Sequence, residues 1–359
     1  MNEVLRAKAE LRPKLARRAE QIPPDRRDAA EPRMRALALA LPEIRDAKGV
    51  MVCLSFGTEP QTRALIEALQ AEGKAVYLPR ADRRDRQLHL HRWPCELRTL
   101  SFGLDQPTRA SPQLAAEEIE TKVDVAIILG LGFDASGIRL GHGSGYVDRF
   151  LTAHPLPAIG LSFETLVVPT LPRATYDVPM TALVSEDRVL RPAADPREAL
   201  REWLSLDHRE IDRQLNEALA GAGFDPSAFA RFRERLLRHI GIEERLLFPA
   251  VRSRDPEREA QRLANLRIEH AALTTLLVPT PDRALAAEIQ TLLVGHNESE
   301  EGPEGVYASC IAALHDDDAR QLLHAARARR PVPTTSYFDG QATVRTAAEA
   351  LAKARRSRR

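Results

Sequence analysis

Residues 130–150 read GLGFDASGIRLGHGSGYVDRF, and this stretch decides how the first half of the chain folds. It follows VDVAIIL at 123–129, an apolar and β-branched run of the length of a buried strand. Then come Gly137, Gly141, Gly143 and Gly145, with Arg139 ahead of the last three and Arg149 just behind them. Beyond Gly145 the spacing turns helical, with Tyr146, Phe150 and Leu151 recurring at one turn. A strand that feeds a glycine loop opening a helix offers phosphate a set of free backbone N–H groups. Glycine permits both left-handed dihedrals and the close approach of a charged ligand. The loop is neither a Walker loop nor GxGxxG, so the glycines alone leave a plain turn open as an alternative.

Outward from that loop, 359 residues predict two domains. With 52 basic against 51 acidic residues, global charge implies neither nucleic acid nor a membrane surface. No apolar run approaches the roughly 20 residues of a membrane span. The first twenty residues are charged throughout and lack the apolar core of a signal peptide. Cys53, Cys95 and Cys310 are scattered and odd in number, which predicts reduced thiols and a cytoplasmic location. The opening fifty residues predict two helices parted at Pro23-Pro24, and Lys8 and Arg12 share a face of the first. Residues 50–55 and 75–78 read as strands. His89 and His91, on one face of a further strand, lack a third ligand nearby and are read as structural.

With Phe133, Asp134, Gly137, Arg139, Leu140, Gly141, Gly143, Gly145, Tyr146, Asp148 and Arg149 in register, the string resembles the FDxxGxRLGxGxGYYDR motif of the 5-formyltetrahydrofolate cyclo-ligases. Val147 stands where that family has a second tyrosine. The likeness runs over residues 4–190. It implies a three-layer α/β domain over 1–190 with a Rossmann-like sheet, and ATP-dependent conversion of 5-formyltetrahydrofolate to 5,10-methenyltetrahydrofolate. Lys8 to Arg12 match the family's KxxLR element, whose basic residues reach the ATP phosphates. The resemblance implies ATP binding by Lys8, Arg12, Arg139, Leu140, Gly141, His142, Gly143, Ser144, Gly145 and Tyr146. It implies folate binding by Leu54 and Glu59 with residues 142–146, and Mg²⁺ held by Asp148 and Asp177. Arg80 is an expected phosphate neighbour, and the turn at 102–107 is expected to cover the substrate. Tyr176 and Thr181 stand where the family has histidine and often a second aspartate.

Composition changes after the Pro/Ala-rich joint RPAADP, so 191–203 is expected to be a linker. From 204 to 330 strand-like runs cease and four helical stretches follow, with Asp207, Asp225-Pro226, Asp255-Pro256 and Pro281-Asp282 as their expected openings. This predicts an all-α four-helix bundle. One histidine falls in each helix: His208, His239, His270 and His296. His239 and His296 are followed four residues later by Glu243 and Glu300, and a His and Glu so spaced project from one face into a mixed N/O cage. The strings DHREI, RHIGIEERLLFPAV, RIEHAAL and HNESEE resemble the hemerythrin-like, HHE cation-binding family. That resemblance implies iron held by His208, His239, Glu243, His270, His296 and Glu300, with Glu301 as the rival for the last place. Leu266 and Thr274 stand where full hemerythrins place another histidine, so a mono-iron as well as a di-iron site is open. Glu269 points about 100° away from His270 in an ideal helix and reads as a poor substitute.

Residues 331–359 are expected to form a basic, flexible tail. The whole reads as an ATP-dependent cyclo-ligase joined to an iron-binding bundle that senses or regulates. Its expected partners are ATP and a reduced folate, on a monomer or homodimer with no nucleic acid or membrane. The alternative is a non-catalytic nucleotide- or folate-binding module in an iron, oxygen or nitric-oxide sensor.

Overall fold

The computed structural model describes residues 3–357 apart from 222, 255, 303 and 304. The chain divides into two compact units, one ending at Pro192 and the other beginning at Ala193.

The first unit is built on strands β1 (Gly49–Val52), β2 (Ala75–Asp82), β3 (Gln87–Arg92), β4 (Val125–Ile128), β5 (Ala158–Leu161), β6 (Ala182–Val184) and β7 (Val189–Leu190). They lie in the order β7-β6-β5-β4-β1-β2-β3. Every pairing from β6 through β2 is parallel, and the two edge strands β3 and β7 run antiparallel. β1, β4 and β5 are buried along their whole length, as strands covered on both faces must be. The helices covering this unit include α1 (Glu3–Glu20), α2 (Pro24–Ala40), α3 (Arg63–Ala71) and α4 (Tyr146–Ala153). Strand succession reverses between β1 and β4, and open α/β sheets bind ligands beyond the carboxyl ends of such a pair.

The second unit is helical among its described residues. Its elements are α5 (Pro196–Leu219), α6 (Pro226–Ile242), α7 (Phe248–Arg254), α8 (Pro256–Leu276), α9 (Arg283–Glu301), α10 (Val306–Ala313), α11 (Asp316–Ala328) and α12 (Ala347–Arg356). A π-helical turn, Glu243–Leu247, joins α6 to α7 without a break. Asp225 and Asp282 cap α6 and α9, accepting the amides of Ser227 and Ala228 and of Leu285. Asp255 lies outside the described residues. Asp207 is not a cap. The first helix opens earlier, with Asp195 accepting the Arg197 amide and Pro196 in the first turn, so only the start of 191–203 is a linker. Leu200 and Trp203 are already buried.

The expected flexible tail is also corrected. Thr346 caps α12 by accepting the Glu349 amide, and Ala350 and Ala354 are buried among Leu276, Ile289 and Leu293. Alanines four apart make a smooth stripe that packs, while Lys353, Arg355 and Arg356 stay exposed. Arg358 and Arg359 lie outside the described residues, as does the side chain of Cys310. Cys53 and Cys95 are free thiols. Among the described residues no helix is long and apolar enough to cross a membrane.

Candidate functional site

A cavity opens at the carboxyl ends of β1 and β4, where the strand order reverses. Lys8 and Arg12 reach it from α1, and Leu54 and Glu59 from the loop after β1. Arg139, Gly141, His142, Gly143, Ser144, Gly145, Tyr146 and Asp148 come from the glycine loop and the start of α4, and Asp177 from the turn before β6. Thirteen residues scattered over 170 positions of sequence thus line one space.

The loop keeps its shape through backbone that L side chains rarely adopt. Gly143 has φ +102° and Gly145, which caps α4, has φ +67°. A Cβ on Gly143 would stand 3.2 Å from the Arg12 guanidinium carbon. Arg12 in turn donates from Nε to the Gly141 carbonyl at 2.9 Å, tying α1 to the loop. Charges around the cavity are paired. Lys8 Nζ meets Asp177 Oδ2 at 2.5 Å with both side chains buried, and the same oxygen accepts the Ala174 amide at 2.6 Å. Arg139 donates to Asp148 Oδ2 at 3.0 Å, and Asp148 Oδ1 accepts the Val178 amide at 3.4 Å. The two carboxylates therefore flank one corner, since Val178 follows Asp177. Glu59 faces His142 Nε2 at 3.2 Å. Cys53 lies on the same wall, and burial pushes its thiol up to about 12, with the Glu59 charge adding to the effect.

Leu140 does not join them. Its side chain is fully buried with Leu15, Ile138 and Leu171, leaving only its backbone beside the loop. Arg80 is also turned away, pairing with Asp82 at 2.9 Å and donating to His91 Nε2 at 3.2 Å. Hydrogen bonding to Arg80 and to the Arg84 amide holds Asp82 well below the usual carboxylate range. His91 and His89 have structural partners, the Ser111 carbonyl and Asp85. Thr181 accepts the Ala158 amide through Oγ1, a sheet contact and not a site contact. The sequence reading missed Phe56, whose ring lies 4.8 Å from His142 and 5.7 Å from Phe102. Its place between Leu54 and Glu59 was the available signal. Leu104 and Gln106, from the covering turn, line the cavity as well.

The second unit gathers His208 from α5, His239 from α6, Glu243 from the π-turn, His270 from α8 and His296 with Glu300 from α9. All are buried. Their donor atoms form two overlapping groups, His208–His239–Glu243–Glu300 and Glu243–His270–His296–Glu300, each compact enough for one metal ion. Both glutamates are shared, so the arrangement offers two positions of two histidines each with two bridging carboxylates. Glu300 takes the inner place, with Oε2 at 3.2 Å from His208 Nε2 and 3.3 Å from His296 Nε2. Glu301 lies outside it, against His208 Nδ1 at 2.5 Å.

Each histidine turns its Nδ1 to a carboxylate, which leaves Nε2 for the centre. Asp207 takes His239 at 2.8 Å, Glu244 takes His270 at 3.0 Å, Glu269 takes His296 at 2.9 Å and Glu301 takes His208. Each acid sits on the helix before that of the histidine it serves, so the four contacts close a ring around the bundle. Asp207 is held further by Arg235. Three atoms inside the ring, Glu243 Oε2, Glu300 Oε1 and His270 Nε2, are buried without a well-aligned hydrogen bond, although Glu243 Oε2 and His270 Nε2 stand 3.2 Å apart. Buried polar groups left so are costly, and a bound cation is what this donor set fits. The Tyr307 hydroxyl also enters the ring. Burial, with the charges of Glu243 and Glu300, raises its pKa well above the ordinary phenol value.

The first unit is thus an α/β enzyme scaffold with a cation-rich glycine loop at its topological switch point, and the second a cation-binding helical bundle. The chain belongs to the 5-formyltetrahydrofolate cyclo-ligase family, whose model matches residues 4–186. The model of the hemerythrin HHE cation binding domain matches residues 199–316. The 5-formyltetrahydrofolate cyclo-ligase of Mycolicibacterium smegmatis is 31% identical over 193 residues, covering 51% of this chain and 95% of the relative. The mouse 5-formyltetrahydrofolate cyclo-ligase is 25% identical, covering 50% and 94%. The NMR structure of Aquifex aeolicus 5,10-methenyltetrahydrofolate synthetase matches with a TM-score of 0.45 and 28% identity, over 52% of this chain and 92% of that one.

Proposed function

We propose that the first unit converts 5-formyltetrahydrofolate to 5,10-methenyltetrahydrofolate with hydrolysis of ATP to ADP and phosphate, and that the second unit binds iron. The observation that carries the first reading is the meeting of Lys8, Arg12 and Arg139 with the glycine loop in one cavity that also holds Glu59. The formyl oxygen attacks the γ-phosphorus of ATP and ADP leaves. Folate N10 then adds to the activated carbon, which closes the ring and releases the N10 proton, and loss of phosphate from that carbon leaves the methenyl bridge. Such a sequence asks the protein for positioning and charge stabilisation and needs no covalent nucleophile.

Lys8, Arg139 and the amides of residues 141–146 would take the phosphates, while Arg12 braces the loop through the Gly141 carbonyl. Asp148 and Asp177 now face Arg139 and Lys8. Asp148 and Asp177 would be the oxygen ligands for Mg²⁺ once those cations pair with a triphosphate, a donor type that suits a hard ion. The ion would neutralise triphosphate charge there. Glu59 and Leu54, with the Phe56 and Tyr146 rings, would hold the pterin and aminobenzoate parts.

The test is the near-ultraviolet band of methenyl-folate, appearing only when ATP and 5-formyltetrahydrofolate are both present. Glu59→Gln and Arg139→Ala should each remove it, and a wild-type chain that forms no such band would sink the reading. Val147, which lines the cavity, is what favours the second reading, a nucleotide- or folate-binding module without turnover. Binding of both ligands with no product would establish it. Turnover of iron-loaded and iron-free protein, compared side by side, tests whether the bundle regulates the first unit.

A further inference from the structure

The two metal positions are not equivalent, and the difference is one residue that the sequence pattern did not include. Tyr307, near the start of α10, is buried to 2% exposure, and its ring stacks on His208 at 5.6 Å and 19°. Its Oη lies 3.2 Å from His208 Nε2, 3.3 Å from His239 Nε2, 2.5 Å from Glu243 Oε1 and 3.4 Å from Glu300 Oε2. Those are the four donors of one position, and the phenol oxygen approaches every one of them. At the other position the donors are His270 and His296 with the same two glutamates, and there the three atoms without a well-aligned hydrogen bond lie. Glu243 divides between the two, with Oε1 toward His239 and the phenol and Oε2 toward His270 at 3.2 Å.

An oxygen that touches four ligand atoms at hydrogen-bond distance needs only a small withdrawal to become a neighbour of a metal ion among them. We propose that Tyr307 is a fifth protein ligand, its phenolate oxygen bound to the iron held by His208, His239, Glu243 and Glu300. This rests on the reading that the bundle binds iron. On binding, the phenol O–H bond breaks, the iron–oxygen bond forms, and the proton now donated to Glu243 passes to water, with no change of oxidation state. The anionic oxygen favours the ferric ion at this position, whereas the His270–His296 position keeps four protein donors.

The experiment uses the full chain, loaded with ferrous iron without oxygen and then oxidised with ferricyanide. Iron per chain is measured, with the visible spectrum and resonance Raman scattering excited in any visible band. The expected result is a phenolate-to-iron charge-transfer band whose Raman modes shift when tyrosine is supplied ring-deuterated. Tyr307→Phe should lose band and modes while retaining iron. Iron-loaded wild type without phenolate modes overturns the proposal, and this arm needs no variant to fold. A band that survives in Tyr307→Phe also overturns it. So does a variant that takes up two irons where wild type takes one, because the hydroxyl would then be a plug. A chain that takes up no iron overturns the iron reading itself, and the proposal with it.

Discussion

At the scale of single residues, the catalytic loop depends on two features that leave little freedom. Gly143 combines φ +102° with an Arg12 guanidinium 3.2 Å from where a Cβ would stand. Gly143→Ala should therefore cost about 1–3 kcal/mol of stability from backbone strain. It should also raise the KM for ATP, because Arg12 must shift from the loop it braces; a melting curve and a steady-state titration read the two effects. The second feature is the buried pair of Lys8 and Asp177. Lys8→Met strands a buried carboxylate and should cost about 3–5 kcal/mol. Adding Asp177→Asn should recover most of that stability, which would assign the loss to the stranded carboxylate. Asp82 contributes to the pH dependence of stability. Its folded pKa lies below the unfolded value, so its contribution is present above about pH 4 and fades as pH falls through the folded pKa. Asp82→Asn should lower stability at neutral pH and flatten the fall of the melting temperature below pH 4.

At the scale of elements, the ring of histidine–carboxylate contacts explains which parts of the metal centre could be read in advance. The clustered donors were legible because His and Glu four apart must share a helix face, and His239–Glu243 and His296–Glu300 keep that spacing. Their partners were not, because Asp207, Glu244, Glu269 and Glu301 each adjoin a ligand in sequence and so point about 100° away from it. That turn, which disqualifies Glu269 as a ligand on its own helix, aims it at His296 of the next. Glu269→Gln should therefore keep the fold but weaken iron binding by about 10–100-fold, measured by competition with a chelator. The π-turn at Glu243–Leu247 was also invisible, since periodicity does not distinguish it from α-helix, and π-turns gather at functional sites. The tail misled for another reason. Its net charge suggested solvation, whereas its fully buried residues are Ala350 and Ala354, too small to stand out as an apolar stripe, with Tyr337, Val344 and Leu351 partly buried against the same core. Ala350→Leu should overpack that seam and cost the bundle about 1–3 kcal/mol.

At the scale of the whole molecule, the boundary near residue 190 was readable from the end of strand-like runs, and each side of it has its own buried core. The two sites likewise offer different chemistry, a cation-lined glycine loop in one unit and a nitrogen–oxygen cage in the other. A ligand stabilises only the state that binds it, by RT ln(1 + [L]/Kd), so each should act on the transition of its own unit. ATP at a hundred times its Kd adds about 2.7 kcal/mol, which for a unit of this size raises the melting temperature by roughly 5–10 °C. Iron removal should lower the melting of the helical unit and leave the α/β unit where it was. Calorimetry with and without a chelator, and with and without substrates, makes the comparison in one instrument. If the chelator moves both transitions together, the units are thermodynamically coupled, and folate turnover should then follow iron occupancy. If each responds only to its own ligand, the bundle's iron leaves the stability of the cyclo-ligase unchanged.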